Sequence, residues 1–152
     1  MWGWLSVPGS AAFGGLGMAR SVIPSRTGLD LHAQHQRFVA GIPWRTRLHN
    51  MNGLDTHDTP RFATNALPGA VPVALGMAVA LPGIPVVRAG DELGLTGTTG
   101  EESRTPMPWD MLDDHAGAIA LHRELLGLRA AQPALRGGGC GGCTWASRQP
   151  RR

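Results

Sequence analysis

The chain has 152 residues, enough for one domain with a moderate core, and it contains no Lys and no Tyr. Its formal net charge is +3, but three of its 14 Arg lie in the last five residues, and the remaining 11 match the 11 Asp and Glu. The body of the chain is therefore neutral. A phosphate-binding surface needs clustered basic side chains on a folded face, so we expect no nucleic-acid partner.

Residues 1–41 are predicted to form a loop-rich segment with one short helix. Residues 1–30 are rich in Gly, Pro and Ser without a period, whereas 31–41 carry apolar side chains at roughly helical spacing. The first residues lack a basic n-region, so we expect no signal peptide and a cytoplasmic location. His32 and His35 share the helix, and a solvated or half-buried helix face explains them better than metal binding does.

Two strand–helix pairs are predicted next. The string HNMNGL indicates a strand at 50–54, after which Asp58-Thr59-Pro60 supplies an N-cap and a first-turn proline for a helix. A helix is predicted over 71–81 and a strand covered on both faces over 84–90, in which Arg88 has no evident partner. Four prolines interrupt the uncharged run from 62 to 87, so we expect no membrane span.

The last predicted elements are a loop over 91–112 and a helix that ends near residue 131. Asp113 or Asp114 is its predicted N-cap, and its predicted apolar face repeats at four positions, namely Ala118, Leu121, Leu125 and Leu128. The order strand, helix, strand, helix predicts two βα units of an α/β fold with parallel strands. The tail, 136–152, contains a single CGGC pair, which is a weak metal signal, and we expect no metal and no cofactor.

Charged residues follow both predicted strands. Asp55, His57 and Asp58 come after the first, and Asp91 and Glu92 come after the second. Parallel α/β folds gather functional groups at the carboxyl ends of their strands, so we expect one shared rim. Such a rim suits metal binding, acid–base catalysis or hydrogen bonding to hydroxyl-rich ligands. Helix capping and loop solvation are the ordinary alternative.

Four motifs in order resemble the α-amylase superfamily of glycoside hydrolases. LDTHDTPRF resembles the His-Asp motif after the seventh barrel strand, and GIPVVRAGDE the Gly-x-Pro-x4-Gly-x-Glu pattern of the eighth. GLTGTTGEESRTPMPWD is similar to the loop that follows, and LHRELLGLRAAQPAL to the eighth helix. The resemblance covers 42–135 and implies a partial (β/α)8 TIM barrel, about the last two βα units, between an irregular N-terminal segment and a tail. It also implies α-glucosidase or α-amylase activity on α-glucans or maltooligosaccharides.

The same resemblance implies roles for individual residues. Asp58 aligns with the third catalytic carboxylate, a transition-state stabiliser that hydrogen-bonds the hydroxyls of an oxocarbenium-like sugar. His57 is implied to bind the same sugar, and Arg104 to contact the sugar one subsite away. Arg61 is placed one turn into the helix, where it either reaches the substrate or serves packing and loop contacts.

Four further residues are expected to support the site rather than act in it. Asp55 is expected to be structural, and Asp91 and Glu92 to support the end of the eighth strand. Trp109 either packs under the loop or stacks on sugar, and packing is the preferred interpretation.

Two catalytic groups have no counterpart in the sequence. A retaining glycosidase needs a nucleophile and an acid about 5 Å apart, yet no Gly-x-Arg-x-Asp motif occurs, and Asp30 is the single carboxylate before residue 42. We therefore expect a barrel fragment that is inactive alone. The alternatives are a non-catalytic glucan-binding or partner-binding remnant and an unstable product of a broken gene. A frame shift near Gly137 is hypothesised for the tail, against a disordered Gly/Arg tail.

Overall fold

The computed structural model describes residues 28–137 and, further upstream, the backbone of two dipeptides. These are β1 (Ala12–Phe13) and β2 (Ser21–Val22), which pair antiparallel. The prediction of loop over 1–30 is wrong at these four residues, because two-residue strands are too short to show an alternating pattern, and at residues 28–30, which begin the first helix. The rest of 1–27 and the tail 138–152, with its Cys pair and the hypothesised frame shift, lie outside the described residues.

The main body contains two more strands and six helices within the described residues. The strands are β3 (Met51–Gly53) and β4 (Ile84–Val86). The helices are α1 (Gly28–Ala40), α2 (Trp44–Arg47), α3 (Phe62–Asn65), α4 (Ala70–Ala80), α5 (Ala116–Ala131) and α6 (Pro133–Arg136). Three short 3-10 turns complete the set, at Asp91–Leu93, Trp109–Met111 and Asp113–His115. Across these ranges no helix is both long enough and apolar enough to cross a bilayer.

The predicted parallel pairing is confirmed. Met51 lies opposite Ile84 and Gly53 opposite Val86, with α4 as the crossover between β3 and β4. The predicted helices at 31–41 and 71–81 are confirmed as α1 and α4. The core lies on α4, which packs against α5, and its buried side chains include Ala74, Leu75, Ala78 and Val79.

β4 departs from its prediction in length and in burial. It ends at Val86 rather than near residue 90, and the side chains of Ile84 and Val86 remain 49% and 39% exposed. The expectation of a strand covered on both faces is therefore wrong for the residues that the structure describes. The apolar run alone was typical of a strand inside a larger sheet, whereas β4 pairs here within a sheet of two strands.

The buried face of α5 departs from its prediction at one of the four positions, since Ala118, Leu121 and Leu125 are half-buried. Leu128 is 49% exposed, whereas His122 and Arg129 are buried. The guanidinium of Arg129 donates hydrogen bonds to the backbone carbonyls of Val79 and Gly83, at the end of α4 and the turn that follows. Because the last carbonyls of a helix lack partners within it, this Arg satisfies groups that an apolar side chain cannot.

The turn from α4 into β4 is held from a second direction. The side-chain amide of Asn52 donates to the carbonyl oxygen of Pro82 at 3.1 Å and to that of Leu81 at 3.4 Å. Gly83 has a φ of +134°, and a Cβ there would lie 2.5 Å from the carbonyl oxygen of Asn50. The glycine of the GIP motif is thus required by the close approach of two backbones.

Both aspartate caps predicted from sequence are wrong. Asp113 and Asp114 form a 3-10 turn, and α5 begins at Ala116 without a side-chain cap from His115. Asp58 does not cap α3, which begins four residues later, at Phe62. In both places the chain makes a turn between the candidate cap and the helix, and a local capping pattern does not reveal such a turn.

Candidate functional site

The loop after β3 is fixed by one buried carboxylate. Oδ2 of Asp55 accepts a hydrogen bond from the backbone N–H of Phe62 at 2.7 Å, at the start of α3. The cap of this helix therefore comes from seven residues upstream, and it satisfies an N–H that has no partner within the helix. This contact gives Asp55 the structural task that the sequence led us to expect.

Asp55 belongs to a buried charge cluster, which we define as Asp55, Arg61, Arg88 and Asp91. Nη1 of Arg61 lies 2.8 Å from Oδ1 of Asp91, and Nη1 of Arg88 lies 4.0 Å from Oδ1 of Asp55. Arg61 is 2% exposed. The cluster joins the loop after β3 to the loop after β4, so the rim expected at the strand ends does form.

One oxygen of this cluster is poorly satisfied. Oδ1 of Asp55 is buried and accepts no hydrogen bond from any described residue. Burial and the neighbouring charge of Asp91 raise the pKa of Asp55 to about 6, although the Phe62 amide and the two Arg oppose the shift. Near neutral pH this carboxylate is therefore held ionised at a cost in stability.

Arg88 has partners that the sequence did not reveal. Its Nη1 donates to the carbonyl oxygens of Thr56 at 2.6 Å and Thr59 at 3.3 Å, and its Nη2 donates to that of Ser103 at 2.7 Å. The guanidinium therefore satisfies backbone carbonyls of two separate loops and lies near one carboxylate. Arg88 follows an apolar run without being part of the strand, because β4 ends two residues before it. Its guanidinium is therefore free to bind the loops.

A second, exposed charge cluster is defined as His57, Asp58, Glu101 and Arg104. Nε2 of His57 lies 3.1 Å from Oδ2 of Asp58, and Nη2 of Arg104 lies 2.9 Å from Oδ1 of the same carboxylate. Arg104 also contacts Oε1 of Glu101 at 3.1 Å, and its Nε donates to the His57 carbonyl oxygen at 3.1 Å. The side chain of Asp58 remains 40% exposed, so a ligand has access to it.

The loop that carries Arg104 packs tightly against the loop that carries Asp58. A Cβ at Gly100 would lie 2.9 Å from the carbonyl oxygen of Asp58, and one at Gly97 would lie 2.6 Å from Oγ of Ser103. Ser103 is fully buried. Sequence reasoning did not identify these three residues, and the paired glycines of TGTTGEESR were the signal available for such close packing.

No family model matches the chain. Neopullulanase 2 of Thermoactinomyces vulgaris is 33% identical over 89 residues, which cover 57% of this chain and 15% of that protein. The debranching enzyme of Nostoc punctiforme superposes with a TM-score of 0.67 at 28% identity, over 74% of this chain and 24% of that one. Cyclic α-maltosyl-(1→6)-maltose hydrolase from Arthrobacter globiformis superposes with a TM-score of 0.62 at 33% identity, over 71% and 25%.

Sequence and structure thus agree on one group of proteins. These relatives are α-amylase-family enzymes, and the chain is similar to part of each of them. The family resemblance of its motifs is confirmed, and so is its α/β class with similarity to TIM-barrel enzymes. The chain spans about 15% of the length of neopullulanase 2 and about a quarter of the two solved structures.

The structure brings together three of the four residues predicted for the site. His57, Asp58 and Arg104 share the exposed cluster, and Asp58 is their common partner. Arg61 is not among them, because it precedes α3 rather than lying one turn into it, and its side chain enters the buried cluster. This position favours the packing alternative for Arg61, and its contact with substrate stays a prediction.

Of the expectations for supporting residues, the one for Glu92 agrees with the structure and the one for Trp109 does not. Oε2 of Glu92 accepts a hydrogen bond from the Gly90 N–H at 2.8 Å, which agrees with its expected role at the end of the strand. The packing expected for Trp109 is wrong, because this side chain lies in a 3-10 turn and is 70% exposed. Among residues 28–137 no group of three or more His, Cys, Asp or Glu is placed to hold a metal ion.

Proposed function

We propose that this chain forms the sugar-holding edge of the active site of a retaining α-glucan hydrolase of α-glucosidase or α-amylase type. The exposed cluster carries the proposal, because Asp58 is accessible and both of its oxygens have positioned partners. Two relatives are named as a neopullulanase and a cyclic maltosyl-maltose hydrolase, and another structure of the debranching enzyme was soaked with acarbose. These names support an oligosaccharide as the substrate class.

In the proposed mechanism Asp58 stabilises the transition state and does not attack the sugar. A sugar hydroxyl donates a hydrogen bond to an exposed oxygen of Asp58, and this bond strengthens as the ring becomes oxocarbenium-like. His57 offers a hydrogen-bond donor to the same sugar. Arg104 holds the other oxygen of the carboxylate and contacts the adjacent subsite. A carboxylate fixed before the sugar arrives needs little reorganisation during the reaction.

We further propose that β3, α4, β4 and α5 correspond to the seventh and eighth βα units of the barrel. Their parallel register supports this, as does the position of the His-Asp motif directly after β3. The nucleophile and the acid are then supplied by other units of the complete enzyme, and the 152 residues alone cleave no glucan. A cytoplasmic location stays a prediction from the sequence.

A partner-binding role is the second candidate, and one observation favours it. Met51, Ile84 and Val86 lie on the two-stranded sheet and are largely exposed, at 76%, 49% and 39%. The register places these three apolar side chains on one face of the sheet, and an exposed apolar patch is a surface for another chain. With a second copy of this chain as the partner, sedimentation analysis tests this role. Association that Ile84→Lys and Val86→Lys abolish supports it, and a monomer at all concentrations rejects it.

Sugar binding and hydrolysis by the purified chain test the leading proposal. Maltotriose and acarbose are titrated into the chain by NMR, and reducing ends released from maltotriose are measured. We expect binding without hydrolysis, weakened about tenfold or more by Asp58→Asn, a loss of about 1.4 kcal/mol. Asp113→Asn removes an exposed carboxylate in the 3-10 turn before α5 and is the matched control.

Three results would each contradict a different part of the proposal. Hydrolysis by the pure chain rejects the assignment of nucleophile and acid to other units. Equal affinity for sugar in the Asp58→Asn and Asp113→Asn variants rejects the role of Asp58. A folded chain that binds neither sugar rejects the sugar-holding edge itself.

A further inference from the structure

We propose that Arg88 is a positioning residue that holds the two loops of the exposed cluster at a fixed separation. One loop, 56–59, carries His57 and Asp58, and the other, 97–104, carries Arg104. The sugar-binding consequence rests on the function proposed above. The effect on loop geometry does not rest on it, and the two are tested separately.

The contacts of Arg88 place one guanidinium between the loops. Nη1 binds the carbonyl oxygens of Thr56 and Thr59, the residues on either side of the His57–Asp58 pair. Nη2 binds the carbonyl oxygen of Ser103, which is bonded directly to Arg104. A change in the separation of the loops must therefore stretch hydrogen bonds to this side chain.

The chemistry of the position suits Arg and not Lys. A guanidinium is planar and presents its donors in a fixed fork, so its two amino groups bind two loops in a defined geometry. The side chain of Arg88 is 12% exposed, so water does not readily replace lost donors. A Lys ammonium is a single nitrogen, which reaches the carbonyls of one loop at a time.

Other contacts also tie these loops: the backbone N–H of Arg61, two residues after the first loop, donates to the Gly97 carbonyl oxygen at 2.9 Å. Arg61 donates to the Ser103 carbonyl oxygen at 3.2 Å and pairs with Asp91, which ties the second loop to the end of β4. Arg104 itself crosses between the loops, but its side chain is 42% exposed and is part of the site that must be positioned. Arg88 differs from Arg61 and Arg104 in that its largely buried guanidinium contacts backbone carbonyls of both loops, and we infer that it helps to set where Arg104 meets Asp58.

The experiment compares Arg88→Lys and Arg88→Met with the matched control Arg129→Met. Arg129 is also a buried guanidinium on backbone carbonyls, but it serves the end of α4 rather than the site loops. Three properties are measured on each protein: the urea midpoint, the NMR signals of the His57 ring and of the 56–59 and 97–104 amides, and the dissociation constant for maltotriose.

We expect both Met variants to lose stability, because each removes donors from partly or fully buried backbone carbonyls. Only the Arg88 variants should shift the His57 ring and the amides of both loops, and only they should weaken maltotriose binding by about tenfold or more, about 1.4 kcal/mol. Arg88→Lys should recover part of the urea midpoint without recovering the affinity. That separation is not expected of a residue whose role is only structural.

The outcomes are distinguishable. Loop signals that are unchanged in Arg88→Lys, or changed equally by Arg129→Met, overturn the positioning role. If the unmodified chain binds no maltotriose, the proposed function fails, and the loop signals still decide the role of Arg88. If Arg88→Lys binds maltotriose as tightly as the unmodified chain, the positioning role is overturned and the proposed function stands.

Discussion

The buried and exposed charge clusters both pair Arg with carboxylates, but they differ in how far water reaches the paired side chains. In the buried cluster, the paired side chains of Arg61 and Asp91 are 3% and 15% exposed. In the exposed cluster, those of Arg104 and Asp58 are 42% and 40% exposed. Breaking a buried pair leaves an uncompensated charge, whereas breaking an exposed pair exchanges one partner for water. The buried cluster is therefore expected to set stability, and the exposed cluster to offer its hydrogen bonds to a ligand.

The largest effect is expected from Arg61→Met. This change leaves Asp91 and the Ser103 carbonyl without the guanidinium that pairs with both, and the expected loss is about 3–5 kcal/mol in the free energy of unfolding. Urea denaturation measures it. The double variant Arg61→Met with Asp91→Leu is the control, because it removes the stranded charge. It should recover much of the loss, and a double variant that is less stable than the single one contradicts this account.

The second largest effect is the pH dependence that Asp55 imparts. Burial and then Asp91 raise the pKa of Asp55 from 3.8 to about 6, against the Phe62 amide, Arg88 and Arg61. The folded chain thus binds this proton more tightly than the unfolded chain. The folded state is therefore stabilised by the proton on Asp55. This contribution to the free energy of unfolding, roughly 3 kcal/mol, is full below about pH 4 and is lost as the pH rises through about 6.

Asp55→Asn isolates this contribution, because the amide keeps an acceptor for the Phe62 N–H but does not titrate. Unfolding free energies of both proteins are measured from pH 4 to pH 8. As the pH rises from 4 to 8, the unfolding free energy of the unmodified chain should fall relative to that of the Asn variant. A difference that is constant with pH shows that Asp55 titrates near its ordinary value in the folded chain.

A steric change at the contact between the loops should have a smaller effect. In Gly100→Ala the added Cβ meets the Asp58 backbone at 2.9 Å, so one loop must shift, at about 1–2 kcal/mol. Gly117→Ala is the matched control, because a Cβ there meets nothing within 4 Å and Ala favours the helix. Thermal unfolding and the His57 ring signal are measured. Equal stability of the two variants contradicts the close packing of the loops.

Sequence predicted well those features that depend on periodicity and on motif order. These signals predicted the parallel β3–β4 pair, the helices α1 and α4, and the grouping of His57, Asp58 and Arg104. It failed where a distant residue completes a local element. Asp55 caps α3 from seven residues away. On α5, Arg129 is buried on backbone carbonyls, whereas Leu128 is exposed. Such contacts depend on the path of the chain in space, and the sequence carries no local sign of them.

The smallest effect is expected from the exposed pair itself. A double-mutant cycle of Asp58→Asn and Arg104→Gln should give a coupling of about 0.2–1 kcal/mol in unfolding free energy, falling with added salt. The same variants should weaken sugar binding far more than they change stability, because the cluster is positioned for a ligand. A coupling as large as that of the Arg61–Asp91 pair would show that solvent access does not separate the two clusters, and Asp58 would then belong with the structural charges.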